Sequence, residues 1–535
     1  MVPIYMTKTL PKFSLPPVGA EREQNAYSFP SGKQTLICFV KEDCPTTRTS
    51  MPLLQQAQDI FGQNIDVVAL AQNGEDDLVL VQEYGLTVPF LDDSTLNTSY
   101  AYEIDTVPSV FLATEDGNVT QQFIGFGRDD WKDLFLSLAN QHDVTLPEID
   151  WASFPELLPG CGSKSMEPGI FERLKAESEG SPLRGRRVEI GVNDDIHEFL
   201  YEQGLTDGLP VIPPTPERVI RMLEGTTRNA QEVVAIAPPN LAPVTVEKIA
   251  VNSVMAGCRP EYLPVVITAV EAVCTDQFGM HGVGATTMGA TPVIVVNGPI
   301  RHEIGMNMGL QALGPGNRAN AAIGRALKLV LRNVGGQIPG ETERTTMGSP
   351  LKFTMCFAEW EEISPWEPLH VERGFDENDS VLTVFAMTGL GQVIDQTSRT
   401  ARSVVGSVGL KAEGLHHPKY HDYPDALFAL CPEHVATIAR DGWSKDQVRD
   451  RIQEITSRPV KELLSTEDVT VGIDPKLLEG APDEELNRLV PKFASKSNIH
   501  IVVAGSQAGK FSAIFEGFSN RIGLDSTVTS KKIEK

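Results

Sequence analysis

The chain has 535 residues, a formal net charge of −25, and 41% hydrophobic and 22% charged residues. That length accommodates at least two domains with full cores, and the composition is that of an ordinary soluble globular protein. The negative balance argues against nucleic acid or an anionic membrane as partner, because both need a basic face. No apolar run approaches the length of a transmembrane helix. Pro and Lys interrupt the N-terminal stretch MVPIYMTKTLPKFSLPP, where a secretory leader needs continuous apolar residues. The expected location is cytoplasmic. Seven cysteines, at 38, 44, 161, 258, 274, 356 and 431, form no CxxC pair, which suits a reducing compartment with mostly buried thiols.

Residues 35–40 (TLICFV) are an apolar, β-rich run that breaks at Lys41-Glu42-Asp43 and continues as Cys44-Pro45-Thr46-Thr47. Met51, Leu54, Ala57, Ile60 and Phe61 then recur at helical spacing. A strand that delivers a cysteine to the first turn of a helix sets the thiol against free N–H groups and a positive dipole end, which lowers its pKa. Downstream, residues 65–71 read as a buried parallel strand, 75–83 as a helix, 88–93 as a short strand into a turn and 94–102 as a helix. Residues 104–112, the turn Glu115-Asp116-Gly117-Asn118 and residues 119–126 read as a hairpin, and 129–139 as a closing helix.

This order, with Cys44, Pro45, Arg48, Met51 and Pro52, resembles the thioredoxin superfamily, most closely its thioredoxin-like reductase and peroxiredoxin-related branch. The resemblance implies a thioredoxin-like domain over residues 1–145, with Cys44 as the active cysteine and a cis peptide before Pro108 facing it. Thr47 stands where the second cysteine of that family's Cys-Pro-x-Cys-Arg would be. Its hydroxyl can hydrogen-bond a Cys44 thiolate but cannot resolve a mixed disulfide. Three roles for Cys44 stay open: a single nucleophile resolved by a cysteine elsewhere in the chain, a remnant in a domain kept for binding or assembly, or a metal or metalloid ligand. Cys38, inside the strand, reads as core.

Residues 146–190 read as a connector, with three prolines before residue 160 and little periodicity. Cys161 lies in Pro159-Gly160-Cys161-Gly162-Ser163-Lys164-Ser165, where the glycines shield it little and Lys164 favours a thiolate. It is either an incidental loop cysteine or a reactive thiol on a mobile arm able to reach Cys44 or the second domain.

Over residues 191–535, helices and apolar strands alternate, which indicates α/β layering. Helices are predicted at 194–204, 218–223, 245–256 and 262–274, and a strand at 233–237. Residues 280–350 are glycine-rich, with a buried strand at 292–299 and Gly314-Pro315-Gly316-Asn317-Arg318-Ala319-Asn320 opening a helix over 319–333. A glycine-rich turn at a helix N-terminus beside an arginine suits an anion or carboxylate. The expected ligand contacts are Asn297, Asn317, Arg318, Asn320 and Arg325; the other reading is close-packing glycines beside a solvated arginine face. Glu359, Glu361 and Glu362, with Trp366 and His370 nearby, read as acid–base carboxylates or as a solvated turn. His416, His417 and His421, with Cys431 and His434 downstream, have the ligand types of a divalent-metal site, although Pro418 breaks a helical spacing. Residues 443–449 open a capped helix, 499–510 read as a strand into a glycine-rich turn, and the tail 529–535 is expected to be disordered.

The expected architecture is α/β throughout: a thioredoxin-like domain, a connector with an exposed cysteine, and a larger α/β domain with a Gly/Asn/Arg-rich pocket. The activity this implies is that of a thiol-dependent oxidoreductase acting on a small anionic organic substrate, with Cys44, Cys161 or both as reactive thiols. A thiol reductant is the implied partner; a divalent metal and a homo-oligomer are left open. The alternatives are a cysteine- or metal-dependent lyase or hydrolase with a docking thioredoxin-like domain, and a non-catalytic binding or assembly protein.

Overall fold

The computed structural model describes residues 9–20, 25–167, 170–188, 190–191, 194–422, 425–518 and 527–534. They divide into two units, Met1–Val188 and Glu189–Lys535.

In the first unit the apolar run forms β1 (Thr35–Val40), with all six residues buried, and leads into α1 (Pro45–Phe61). There follow β2 (Asp66–Ala71), α2 (Leu78–Tyr84), β3 (Phe90–Asp92), β4 (Thr106–Val107), β5 (Ser109–Ala113), β6 (Val119–Ile124) and α3 (Arg128–His142). The sheet order is β3-β2-β1-β5-β6, with β1 parallel to β2 and antiparallel to β5. A central strand covered on both faces is apolar along its whole length, as β1 is. Met51, Leu53, Leu54, Ala57 and Phe61 of α1 pack with Leu134, Phe135 and Leu138 of α3 over one face of the sheet. Each of the Met, Leu and Phe side chains contributes about 1.5–3 kcal/mol through burial. The helix expected at 75–83 begins as a 3-10 turn, Gly74–Asp77, and the one expected at 94–102 shortens to Asn97–Ala101.

Residues 157–162 lie along this unit rather than free of it. Leu157–Leu158 pairs with Phe126–Gly127, and β7 (Cys161–Gly162) pairs antiparallel with β4, Cys161 opposite Val107.

The second unit is built on a seven-stranded mixed sheet. Its main elements are α4 (Val246–Ala256), α5 (Leu263–Val273), β8 (Thr291–Asn297), α6 (Arg318–Asn333), β9 (Cys356–Ala358) and β10 (Val381–Ile394). These are followed by α7 (Ala401–Glu413), β11 (Ala426–Leu430), α8 (Pro432–Arg440), α9 (Lys445–Thr456), β12 (Ile499–Val503), β13 (Phe511–Gly517) and β14 (Thr529–Lys532). The strand order is β9-β8-β10-β13-β11-β12, with β14 on β10. Trp360 N–H, just past β9, donates to Val503 O of β12 at 2.7 Å. The sheet therefore curls enough for the strands at its two ends to approach. The fourteen-residue β10 changes partner along its length: residues 381–387 pair with β8 and, after an irregularity between Met387 and Gly389, the rest pairs with β13.

The tail is not disordered over its described part. Residues 529–532 form β14, in register with residues 381–384, and Ser530 Oγ lies 2.8 Å from Thr383 Oγ1. Backbone pairing and short polar contacts hold it, and neither shows as an apolar pattern; residue 535 lies outside the described residues.

Candidate functional site

Cys44 is the N-cap of α1, and Thr47 N–H donates to its sulfur at 3.4 Å. Pro45 follows, which suits a first helical position because no N–H is required there. The Cys44 thiol donates to Val107 O at 3.4 Å, and the Val107–Pro108 peptide is cis, as the resemblance implied. Thr47 is fully buried at the third helical position, next to the Cys44 sulfur that its N–H reaches.

The second thiol arrives from the segment read as a connector. Antiparallel pairing of β7 with β4 sets Cys161 opposite Val107, whose carbonyl accepts from the Cys44 thiol, and so brings the two cysteines together. Burial opposes ionisation of Cys44. The Cys161 thiol, the Thr47 N–H and hydroxyl, and the Thr46 N–H outweigh it and hold Cys44 below its ordinary value. The same contact with Cys44, and then burial, push Cys161 up to about 11, against the pull of Lys41. The pair therefore has one thiol disposed to ionise and one disposed to keep its proton.

The Cys161 segment is tied down from several sides. Thr46 Oγ1 donates to Pro159 O at 2.5 Å, Lys41 Nζ to Gly162 O at 3.3 Å, and Ser163 N–H to Asp105 O at 2.9 Å. Gln72 Nε2 donates to Ser163 Oγ at 2.8 Å, and its Oε1 accepts from Lys164 N–H at 3.1 Å. Lys164 Nζ reaches Asn73 Oδ1 at 2.7 Å, so it serves this tether rather than the Cys161 sulfur. Gly160 allows the close approach: a Cβ there would lie 2.6 Å from Val107 O and 2.3 Å from Thr106 Cγ2. Under this strap Cys44 is 0% exposed, whereas Cys161 is half-buried. Gln72 and Asn73 gave no sequence signal, since each acts through a partner distant along the chain.

The other expected site residues do not gather into one pocket. Asn297 is buried at the end of β8 and donates to Glu359 Oε2 at 2.7 Å and Glu361 Oε1 at 2.9 Å. Asn317 caps α6 by accepting from Asn320 N–H at 3.0 Å, while Asn320 Nδ2 donates to Asn307 O at 2.7 Å. Arg318 donates to Gly257 O at 2.8 Å, and Arg325 grips Asp207 through two bonds of 2.8 Å. These side chains knit the α6 turn and helix to neighbouring loops. Glu359, far from a solvated turn, is fully buried, and Arg301, which the sequence did not single out, lies 2.8 Å from Glu361 Oε2.

The three histidines do not converge as a ligand set. His416 Nε2 lies 2.7 Å from Gly517 O, His417 Nδ1 accepts from Lys419 N–H at 3.1 Å, and His421 Nε2 lies 3.0 Å from Thr456 O. Among the described residues no group of three or more His, Cys, Asp or Glu side chains is arranged to hold a metal ion. No helix among them is long and apolar enough to cross a membrane.

A strand, a cysteine-capped helix and a cis proline facing the thiol define the first unit as a thioredoxin-superfamily region, and the AhpC/TSA family model matches residues 6–122. A similar curated protein is the thiol-disulfide oxidoreductase ResA of Halalkalibacterium halodurans, 27% identical over 111 residues, which are 20% of this chain and 62% of that protein. The chain thus spans about three fifths of that relative's length. Among solved structures, a putative thiol:disulfide interchange protein DsbE from Chlorobium tepidum is 21% identical, covering 25% of this chain and 95% of that one, with a TM-score of 0.23. StoA from Bacillus subtilis is 24% identical over 22% of this chain and 88% of its own, with a TM-score of 0.20.

Proposed function

We propose that the first unit is a thiol–disulfide redox module whose couple is Cys44 and Cys161. Cys44 is the nucleophile and Cys161 supplies the resolving thiol that Thr47 cannot. In the oxidising direction the Cys44 thiolate attacks a disulfide of a partner molecule, and one partner thiol leaves. Cys161 then loses its proton and attacks Cys44 sulfur, releasing the second partner thiol and forming the Cys44–Cys161 disulfide. Two electrons pass from the pair to the partner; a thiol reductant reverses the sequence. The observation that supports this reading is the β7–β4 pairing, which brings Cys161 opposite Val107, the residue whose carbonyl accepts from the Cys44 thiol, with the two acidities driven apart.

Differential alkylation with peptide mass mapping, before and after a mild disulfide oxidant, tests it. The expected outcome is a Cys44–Cys161 disulfide, lost on Cys44→Ser together with exchange activity. Cys161→Ser should instead accumulate a mixed disulfide on Cys44. Oxidation that leaves both thiols free would refute the couple. The small anionic substrate expected for the second unit gains no support from Asn297, Asn317, Arg318, Asn320 and Arg325, whose described polar contacts are internal.

A further inference from the structure

The second unit carries a similar Cys-Pro helix start, without the N–H bond to sulfur that Cys44 accepts. Strand β11 ends at Leu430, Cys431 is the N-cap of α8, and Pro432 is its first residue. The third helical residue is Thr47 in α1 and His434 in α8. Ser512 of β13 joins the cluster: its Oγ accepts from Cys431 N–H at 3.0 Å and lies 2.8 Å from His434 Nδ1. On the far side of the ring, His434 Nε2 donates to Asp395 O at 3.1 Å, so that nitrogen carries the proton and Nδ1 faces the cysteine side. Ser512 Oγ thus touches both the Cys431 backbone and the His434 ring, which sets the imidazole next to the cysteine.

We propose that Cys431 is a second reactive thiol, activated by His434 and oxidised by small hydroperoxides to a sulfenic acid. The thiolate sulfur attacks one peroxide oxygen, the O–O bond breaks, and the sulfur loses two electrons to the hydroperoxide. The departing hydroxide or alkoxide takes the imidazolium proton and leaves as water or alcohol. Cys431 is 2% exposed, which favours an oxidant near the size of water over a bulky electrophile. A cleft of about 370 Å³ opens beside the same helix turn, lined by Glu362, Ser364, Pro432, Glu433 and Gln507 among others.

The electrostatics agree with this geometry. Burial works against the thiolate, and His434, followed by Ser512, outweighs it to hold Cys431 below its ordinary value. Burial likewise disfavours the imidazolium, and Cys431 and then Asp395 outweigh it and raise His434. Of the neighbouring charged groups, the Asp395 carboxylate turns to Ser407 Oγ and the N–H groups of Thr397 and Ser398. Glu433 accepts from Gly509 N–H at 2.7 Å.

The test uses the full chain with Cys44→Ser and Cys161→Ser, hydrogen peroxide as oxidant and dimedone to trap sulfenic acid, read by peptide mapping from about pH 6 to about pH 9. Cys274, which burial pushes up to about 11, is the internal reference. Cys431 should be trapped at least about tenfold faster than Cys274, with a rate that levels off below about pH 9. His434→Gln should slow trapping about tenfold near pH 6 and converge with the parent near pH 9. A Cys431 rate no greater than that of Cys274, or one rising tenfold per pH unit through the range, overturns the proposal even if His434→Gln fails to fold. A folded His434→Gln protein with an unchanged profile also overturns it.

Discussion

The two Cys-Pro turns, Cys44-Pro45 and Cys431-Pro432, begin alike and end differently. Each cysteine leaves a buried strand and caps a helix that opens with proline. Around Cys44 the neighbours are another thiol, a hydroxyl and backbone N–H groups; around Cys431 they are an imidazole and a serine. A neutral thiol neighbour can become a covalent partner, whereas an imidazole can only move a proton. In the proposed functions the same cap serves two chemistries, and the side chains carried to it choose between them. In the first unit that choice is made by a strap, β7, from more than a hundred residues downstream; in the second it is made within one helical turn and the adjoining strand.

Breaking the strap should have the largest effect. Gly160→Ala places a methyl against Val107 O, so β7 must shift; alkylation of Cys44 should rise at least about tenfold, while disulfide formation with Cys161 falls. Unchanged Cys44 labelling would show that the strap does not control access. The next effect tests the arginine face of α6, read from sequence as a ligand contact. Arg325→Ala leaves the mostly buried Asp207 carboxylate unpaired and should cost the second unit about 2 kcal/mol in urea unfolding. Thiol exchange by the Cys44–Cys161 couple should be unaffected.

A subtler contrast lies beneath the Cys44 corner. Asp77 is buried, accepts from Glu42 N–H at 2.7 Å and Asn73 N–H at 2.9 Å, and is pushed by burial up to about 7. Its folded-state pKa is above the unfolded value, so its contribution to stability is fully present below about pH 4 and lost as pH rises through about 7. Asp77→Asn should remove a dependence of about 3 kcal/mol between those limits, read as unfolding free energy against pH. A slope that persists in the variant would assign it elsewhere. The smallest effect expected is at Thr47: Thr47→Ala removes one hydroxyl from the Cys44 sulfur and should slow its neutral-pH alkylation about two- to fivefold.

The sequence by itself determined the first unit's core and its cysteine cap. The run 35–40, the helical spacing after Cys44 and the Val-Pro element at 107–108 are local patterns, and local patterns survive into structure when burial and capping favour the same element. The capped helix start at residues 443–449 in the second unit was legible for the same reason, with Ser444 as its cap. What the tertiary structure alone decided was partnership. Cys161 reads as a thiol on a loop until β7 pairs with β4 and lays it against Cys44. Asn297, Asn317 and Arg325 have the chemistry of ligand contacts, yet long-range packing spends their donors on Glu359, Gly305 and Asp207. Polar side chains advertise what they can bind; which group fills that capacity depends on strands and loops far away in the chain, and no local spacing encodes it.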